Sequence, residues 1–193
     1  MANILNRKEQ LIIGINWGGA KTNGWFGSIE YMMADLDLNI LIVDKETLNI
    51  KEVVNNMNRS NGVSDNGILI EKDDNYGDLN GNDGKDNEYA IINLEHLSLN
   101  CFFIPIIYNY SKVKWKDLSH LEFRIYSGEP NNFDSKIINF QNLTDMELEN
   151  EEVLIPGYIF ENSNNWFFET YDLNEKIKLL NTMKVLDRLR LLF

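Results

Sequence analysis

Hydrophobic residues recur along the chain in short runs that have the length and composition of β-strands. The runs are rich in Ile, Val, Phe and Tyr and are bounded by clusters of Asn, Gly, Asp or Ser, which is typical of strands joined by turns. They cover residues 11–15, 36–43, 68–70, 89–94, 102–108, 121–126, 153–160 and 166–171. No repeated helix separates them, which disfavours a parallel sheet with crossover helices. The pattern predicts an all-β fold, a two-sheet β-sandwich.

Two of the runs indicate how deeply their strands are buried. Residues 121–126 alternate between apolar and polar, as a strand with one buried face does, whereas 101–108 are continuously apolar and favour a central strand. Cys101, the single cysteine, opens the continuous run and cannot form an internal disulfide. We therefore expect Cys101 to be a buried, unreactive thiol.

The last nineteen residues break the strand pattern. Residues 175–193 lack Gly and Pro, and Leu179, Met183, Leu186 and Leu189 recur at steps of three and four, which predicts an amphipathic C-terminal α-helix. Five basic residues against two acidic ones give this segment a charge of +3. We expect it to dock on its own sandwich, on a second copy or on another protein. A membrane surface is a less favoured alternative.

Length and charge limit the classes of function. A chain of 193 residues fits one compact sandwich over residues 1–174 followed by a helical docking segment over 175–193. Its net charge of −12 argues against nucleic acid as a partner, since phosphate binding relies on clustered Lys and Arg. No apolar stretch resembles a signal peptide or a membrane span, so we expect a soluble, cytoplasmic protein.

The most informative segment is the acidic loop, residues 71–88. It contains seven acidic residues and two lysines between two predicted strands. Calcium suits such a loop because it takes about 6–8 oxygen ligands from carboxylates, amides and backbone carbonyls. A helix-loop-helix calcium motif is excluded, because counting from Asp78 puts Asp83 where Gly is required and Tyr89 at the twelfth position. Composition alone leaves a calcium site and a solvated acidic loop both open.

A second acidic feature lies at the start of a predicted strand. Asp35, Asp37 and Asn39 alternate with leucines, so they share one strand face, with about 6.6 Å between successive positions. Two carboxylates so placed can flank one cation, although an outward polar face explains each residue singly.

The order of these motifs resembles the tellurium-resistance TerD family of bacterial stress-response proteins. Residues 14–17 are similar to its Gly-x-x-Trp opening, 35–37 to its Asp-Leu-Asp strand, 74–75 to its Asp-Asn pair, and 86–88 stand where it has Asp-Asp-Glu. Later landmarks follow in the same order at 103–108, 123–125, 155–159 and 165–168, so the resemblance covers about residues 10–171.

The resemblance implies a calcium-binding β-sandwich without established enzymatic activity, associated with resistance to tellurite, other chemical stress and sometimes phage. The calcium ligands implied by matching positions, with Asp83 added from the local density of acids, are Asp35, Asp37, Asp74, Asn75, Asp83, Asp86 and Glu88. The chain departs from the family in having Asn87 in place of an aspartate, a longer stretch around 76–82, and 175–193 in place of a glycine-rich ending. It would therefore be a divergent member.

Other chemistry finds little support in the sequence. Nucleophile-elbow, phosphate-loop and dinucleotide motifs are absent, and His96 and His120 lack the cysteine pairs of a common zinc site. We expect no enzyme. The alternative function is a calcium-dependent carbohydrate-binding β-sandwich, for which Trp25 and Trp115 are expected to be exposed aromatic platforms, whereas Trp17 and Trp166 are expected in the core.

Overall fold

The computed structural model describes residues 3–55, 67–71, 73–79, 81–111, 113–132, 136–144 and 153–170. These residues form antiparallel β-strands and two single-turn 3₁₀ helices, Trp25–Gly27 and Trp115–Asp117. The strands are β1 (Asn3–Leu5), β2 (Gln10–Trp17), β3 (Ala20–Asn23), β4 (Ile29–Met32), β5 (Leu36–Asp44), β6 (Ile50–Val54), β7 (Ile68–Ile70), β8 (Glu88–Asn93), β9 (Cys101–Asn109), β10 (Leu121–Ser127), β11 (Ile137–Asn142), β12 (Val153–Leu154), β13 (Gly157–Asn162) and β14 (Asn165–Thr170). The predicted all-β class is confirmed.

Most strands belong to one of two sheets. Sheet A has the order β1-β14-β13-β9-β5-β6, with β12 also paired to β9, and sheet B has the order β11-β10-β2-β8-β7. β3 and β4 form a separate hairpin. All strand pairs within the sheets are antiparallel.

The inner faces of the two sheets share one hydrophobic core. Alternate residues of β5, from Leu36 to Ile42, lie in the same buried cluster as Ile13 and Ile15 of sheet B. Phe123 of sheet B stacks on Phe168 of sheet A with ring centroids 5.9 Å apart. This arrangement agrees with the predicted β-sandwich.

The central strands of sheet A are buried on both faces. Leu41, Val43, Phe102, Ile104 and Ile106 point away from the shared core and belong to a second cluster, together with Leu48, Ile155 and Tyr158. We call this second cluster the outer face of sheet A. Cys101 is buried on the core side, as expected for an unreactive thiol.

Two sequence expectations need correction. The run 153–160 is two strands, β12 and β13, because Ile155 and Pro156 interrupt the pairing and Pro156 has no N–H to donate. Trp115 is only 3% exposed and packs into the core, so it cannot be a surface platform. Its polar neighbours, Lys114 and Lys116, suggested exposure, but the 3₁₀ turn directs the indole inward.

The expected C-terminal helix over 175–193 lies outside the described residues. The residues that the structure does describe include no helix long and apolar enough to cross a membrane.

Candidate metal site

Three acidic side chains meet where sheet A and sheet B come together. Asp37 of β5, Asp73 of the acidic loop and Glu88 of β8 each place a ligand oxygen within 4.8 Å of the others. The three come from two sheets and the loop between β7 and β8, so only the folded chain brings them together. We call these residues the acidic triad.

Glu88 is held rigidly and is fully buried. Its Oε2 accepts a hydrogen bond from the Leu38 amide at 2.7 Å, and its Oε1 accepts one from the Asp74 amide at 3.3 Å. The Leu38 amide is available because β6 pairs with β5 only from Ile40 onward. Glu88 therefore uses a free edge of sheet A and joins β8 to the start of β5.

The carboxylates of the triad repel one another when they are ionised. Burial, with the nearby charges of Asp35 and Asp73, raises the pKa of Asp37 to about 6. Burial also raises the pKa of Glu88 to about 8, with a further contribution from Asp37, although the Leu38 hydrogen bond acts in the opposite direction. Glu88 therefore favours its protonated form at neutral pH, and a nearby cation would favour its ionised form.

An open cleft of about 170 Å³ gives solvent access to two members of the triad, Asp37 and Asp73. The cleft is lined by oxygen-bearing side chains, namely Asp35, Asp37, Asn39, Asn55, Asp73, Asn75 and Tyr110. Burial and the charges of Asp73 and Asp74 raise the pKa of Asp35. The cleft thus offers carboxylate, amide and phenol oxygens, a donor set suited to a hard cation.

Four of the sequence-predicted ligands lie in the triad or the cleft. Asp37 and Glu88 are triad members, and Asp35 and Asn75 line the cleft. The alternation of residues 35–39 places the polar side chains on one face of the strand, as the sequence indicated.

Asp74 turns away into a neighbouring polar network. Its Oδ1 accepts hydrogen bonds from the amides of Tyr76 and Gly77, and its Oδ2 accepts one from Asn87 Nδ2 at 3.5 Å. Asn87 Nδ2 also donates to Asp78 Oδ1 at 3.2 Å, while Asn87 Oδ1 accepts from the Trp17 amide at 2.7 Å. Asn87 therefore places its NH₂ group between the carboxylates of Asp74 and Asp78.

The structure places the remaining two predicted ligands outside the triad. Asp86 is fully buried on the far side of the loop, where its Oδ2 accepts from Tyr126 Oη at 2.7 Å and its Oδ1 lies 3.5 Å from Arg124 Nη1. A Cβ at Gly14 would lie 2.1 Å from Asp86 Oδ2, so this contact requires glycine. Asp83 is exposed and its Oδ1 accepts from the Lys85 amide.

Asp73 is the triad member that the sequence analysis did not select. It directly precedes the Asp74-Asn75 pair, and motif matching favoured the second aspartate. The density of acids in residues 71–88 was the only signal that could have included it.

No known protein-family model matches the chain, and no curated protein matches it either.

Proposed function

We propose that the protein binds calcium at the acidic triad and acts as a non-enzymatic binding or scaffold module in bacterial stress response, as a divergent relative of the TerD family. The observation that carries the calcium proposal is the meeting of Asp37, Asp73 and Glu88 within 4.8 Å. The stress-response role rests on the ordered motifs that resemble the family.

Calcium fits the chemistry of this cleft better than a transition metal. The triad and the cleft supply oxygen donors, whereas zinc and copper favour nitrogen or sulfur ligands. The cleft opens to solvent and can admit water as further ligands. Magnesium requires near-ideal octahedral geometry, which a set of carboxylates of mixed burial supports poorly.

Calcium should stabilise the folded chain, because a ligand bound only by the native state adds RT ln(1 + [L]/Kd) to its stability. This amounts to about 2.7 kcal/mol at a hundredfold excess over Kd. Calorimetric titration of chelator-treated protein, with melting curves in calcium and in magnesium, measures the effect. An absence of binding heat and of any melting shift would overturn the proposal.

The double substitution Asp37→Asn with Glu88→Gln should remove most of the calcium response. Without calcium the melting temperature should change little, because relief of the repulsion between carboxylates is offset by the loss of one of the two backbone hydrogen bonds that Glu88 accepts. Asp83→Asn is the matched control, because it lowers the charge of the same loop outside the triad and retains an acceptor for the Lys85 amide. A full calcium response in the double variant would show that the assigned ligands are wrong.

A second pair of variants distinguishes Asp73, which lies in the triad, from Asp74, which the family resemblance implies as a ligand. Asp73→Asn should weaken calcium binding, whereas Asp74→Asn should affect it less, because Asp74 Oδ1 caps a turn at Tyr76 and Gly77. The reverse ranking would favour the motif-based assignment.

Calcium-dependent carbohydrate binding remains the second candidate, because Trp25 is 84% exposed at the tip of the β3–β4 hairpin. A glycan array probed with and without calcium distinguishes the two functions. Calcium-dependent hits that Trp25→Ala abolishes would favour carbohydrate binding over the scaffold role.

A further inference from the structure

The outer face of sheet A is buried as deeply as a protein core. Leu41, Val43 and Ile104 are at most 1% exposed, and Phe102 and Ile106 are 4% and 7% exposed. Strands buried on both faces require a layer on each face. Sheet B supplies the inner layer, so the outer face must be covered as well.

Among the described residues, every member of the outer-face cluster belongs to sheet A or to a connection between its strands. The partly buried residues packed against it, Ile50, Val53, Val153 and Phe160, belong to the same sheet. Sheet B and the β3–β4 hairpin contribute no described member. The described residues therefore do not account for the covering layer, and the exposed fractions are those of a single chain.

We propose that residues 171–193 of the same chain form this layer, with the predicted helix over 175–193 packed across β9, β5 and β13. This inference rests on burial and sequence, and it does not depend on calcium binding.

Apolar content distinguishes this segment from the other long undescribed stretches. Residues 56–66 contain only Met57 and Val63 as sizeable apolar residues, and residues 145–152 contain only Met146 and Leu148 among five acids. Residues 175–193 contain ten, with Leu179, Met183 and Leu186 on one side of the predicted helix. Only this stretch can supply a matching apolar layer.

Chain geometry and charge agree with the proposal. The segment begins directly after β14, which is separated from β9 only by β13. A helix of nineteen residues is about 28 Å long, close to the length of the nine-residue strands that it would cover. The two strand spacings from β14 to β9 add up to about 10 Å. The charge of +3 on residues 175–193 also complements the acidic body of the chain.

The first test uses two single substitutions in the full chain that each add one negative charge. In the predicted helix, Leu186 lies on the apolar stripe and Asn181 lies on the opposite side. Leu186→Glu should lower the melting temperature by several degrees and increase binding of a hydrophobic dye, whereas Asn181→Glu should change neither. Equal effects of the two substitutions would overturn the proposal.

The second test identifies the covered surface and the chain that covers it. A photo-crosslinking amino acid at Leu186, in an equal mixture of ¹⁴N and ¹⁵N protein, should link to peptides containing 41–48, 102–106 or 153–160 without mixing the labels. Mixed-label products would assign the layer to a second copy. Links to sheet B, or no links at all, would also overturn the proposal. Anionic vesicles form a further arm of the test, and vesicle binding that prevents crosslinking of position 186 within the chain would overturn it as well.

Discussion

The side-chain NH₂ group of Asn87 lies between two carboxylates, where an aspartate at the same position would instead add a third negative charge. Its orientation is fixed because Oδ1 must accept from the Trp17 amide, which leaves Nδ2 to face Asp74 and Asp78. The NH₂ group donates to both carboxylates and occupies the place where a cation would neutralise them. Hydrogen bonds from one side chain of the protein therefore reach both carboxylates of this network.

Asn87→Asp should convert this network into a second calcium-dependent site. The substitution removes two donated hydrogen bonds and adds a third carboxylate, so without calcium it should destabilise the protein by about 1–3 kcal/mol. Calcium should restore most of the loss, and calorimetry should detect an additional equivalent of bound ion. Urea unfolding with chelator and with calcium measures both effects.

Asn82→Asp is the control for that experiment. It adds the same charge to the same loop, but Asn82 is exposed and acts as an acceptor toward Asn16 and Gly84, which an aspartate also does. If Asn87→Asp and Asn82→Asp lose equal stability and respond equally to calcium, the assigned role of the Asn87 amide is wrong.

At this scale the sequence specifies residue types better than their partners. Alternation along β5 correctly places Asp35 and Asp37 with the cleft, since a strand has a fixed side-chain period. Loop residues have no such period, so Asp73 and Asp74 cannot be distinguished by spacing, although they form different contacts. The contact of Asp86 with Gly14 joins a loop to a distant strand and leaves no local pattern.

The strands show which elements a hydrophobic pattern can reveal. Central strands such as β5, β9 and β10 have buried side chains and were predicted closely. β1, β4 and β11 were missed because they have few or no buried residues and interrupt the pattern with polar ones. The hydrophobic pattern of the sequence indicates which residues are buried, and not which residues adopt a strand conformation.

The acidic loop is anchored to sheet B through His120, which directly precedes β10. His120 Nε2 lies 2.6 Å from Asn16 Oδ1 and 3.7 Å from Asp78 Oδ2. Burial lowers the pKa of His120 below its ordinary value of 6.5, and the charge of Arg124 acts in the same direction, while Asp78, Glu122 and Asp83 oppose it.

Acidification should therefore reduce the stability that His120 contributes to the fold. Between the lowered folded pKa and 6.5 the unfolded chain binds more protons than the folded chain, so the free energy of unfolding contributed by His120 falls as pH decreases. Urea unfolding at pH 7.5 and 5.5 should show a larger loss for the natural chain than for His120→Gln. The exposed His96, substituted by Gln, is the control, and an equal loss in the His120 variant would contradict the prediction.

For the whole molecule, the acidic triad connects the two layers of the sandwich. Asp37 belongs to sheet A, Glu88 belongs to sheet B, and the Leu38 amide donates to Glu88 directly. A bound cation would add a second link at this edge, in addition to the shared core. Local separation of the two sheets at this edge would then have to break the metal contacts as well, so it should occur less often.

Hydrogen exchange at the Leu38 amide should report this coupling. With chelator present, this edge can open by breaking the Leu38–Glu88 hydrogen bond without releasing an ion, whereas with calcium it must also release the ion, so exchange should slow markedly. Glu88→Gln retains an acceptor for Leu38 but weakens the triad, and its exchange should hardly respond to calcium. Exchange measured at Ile13, in the core of sheet B, controls for global stabilisation. If calcium slows both amides equally, the ion stabilises the fold as a whole and the proposed local link between the sheets is wrong.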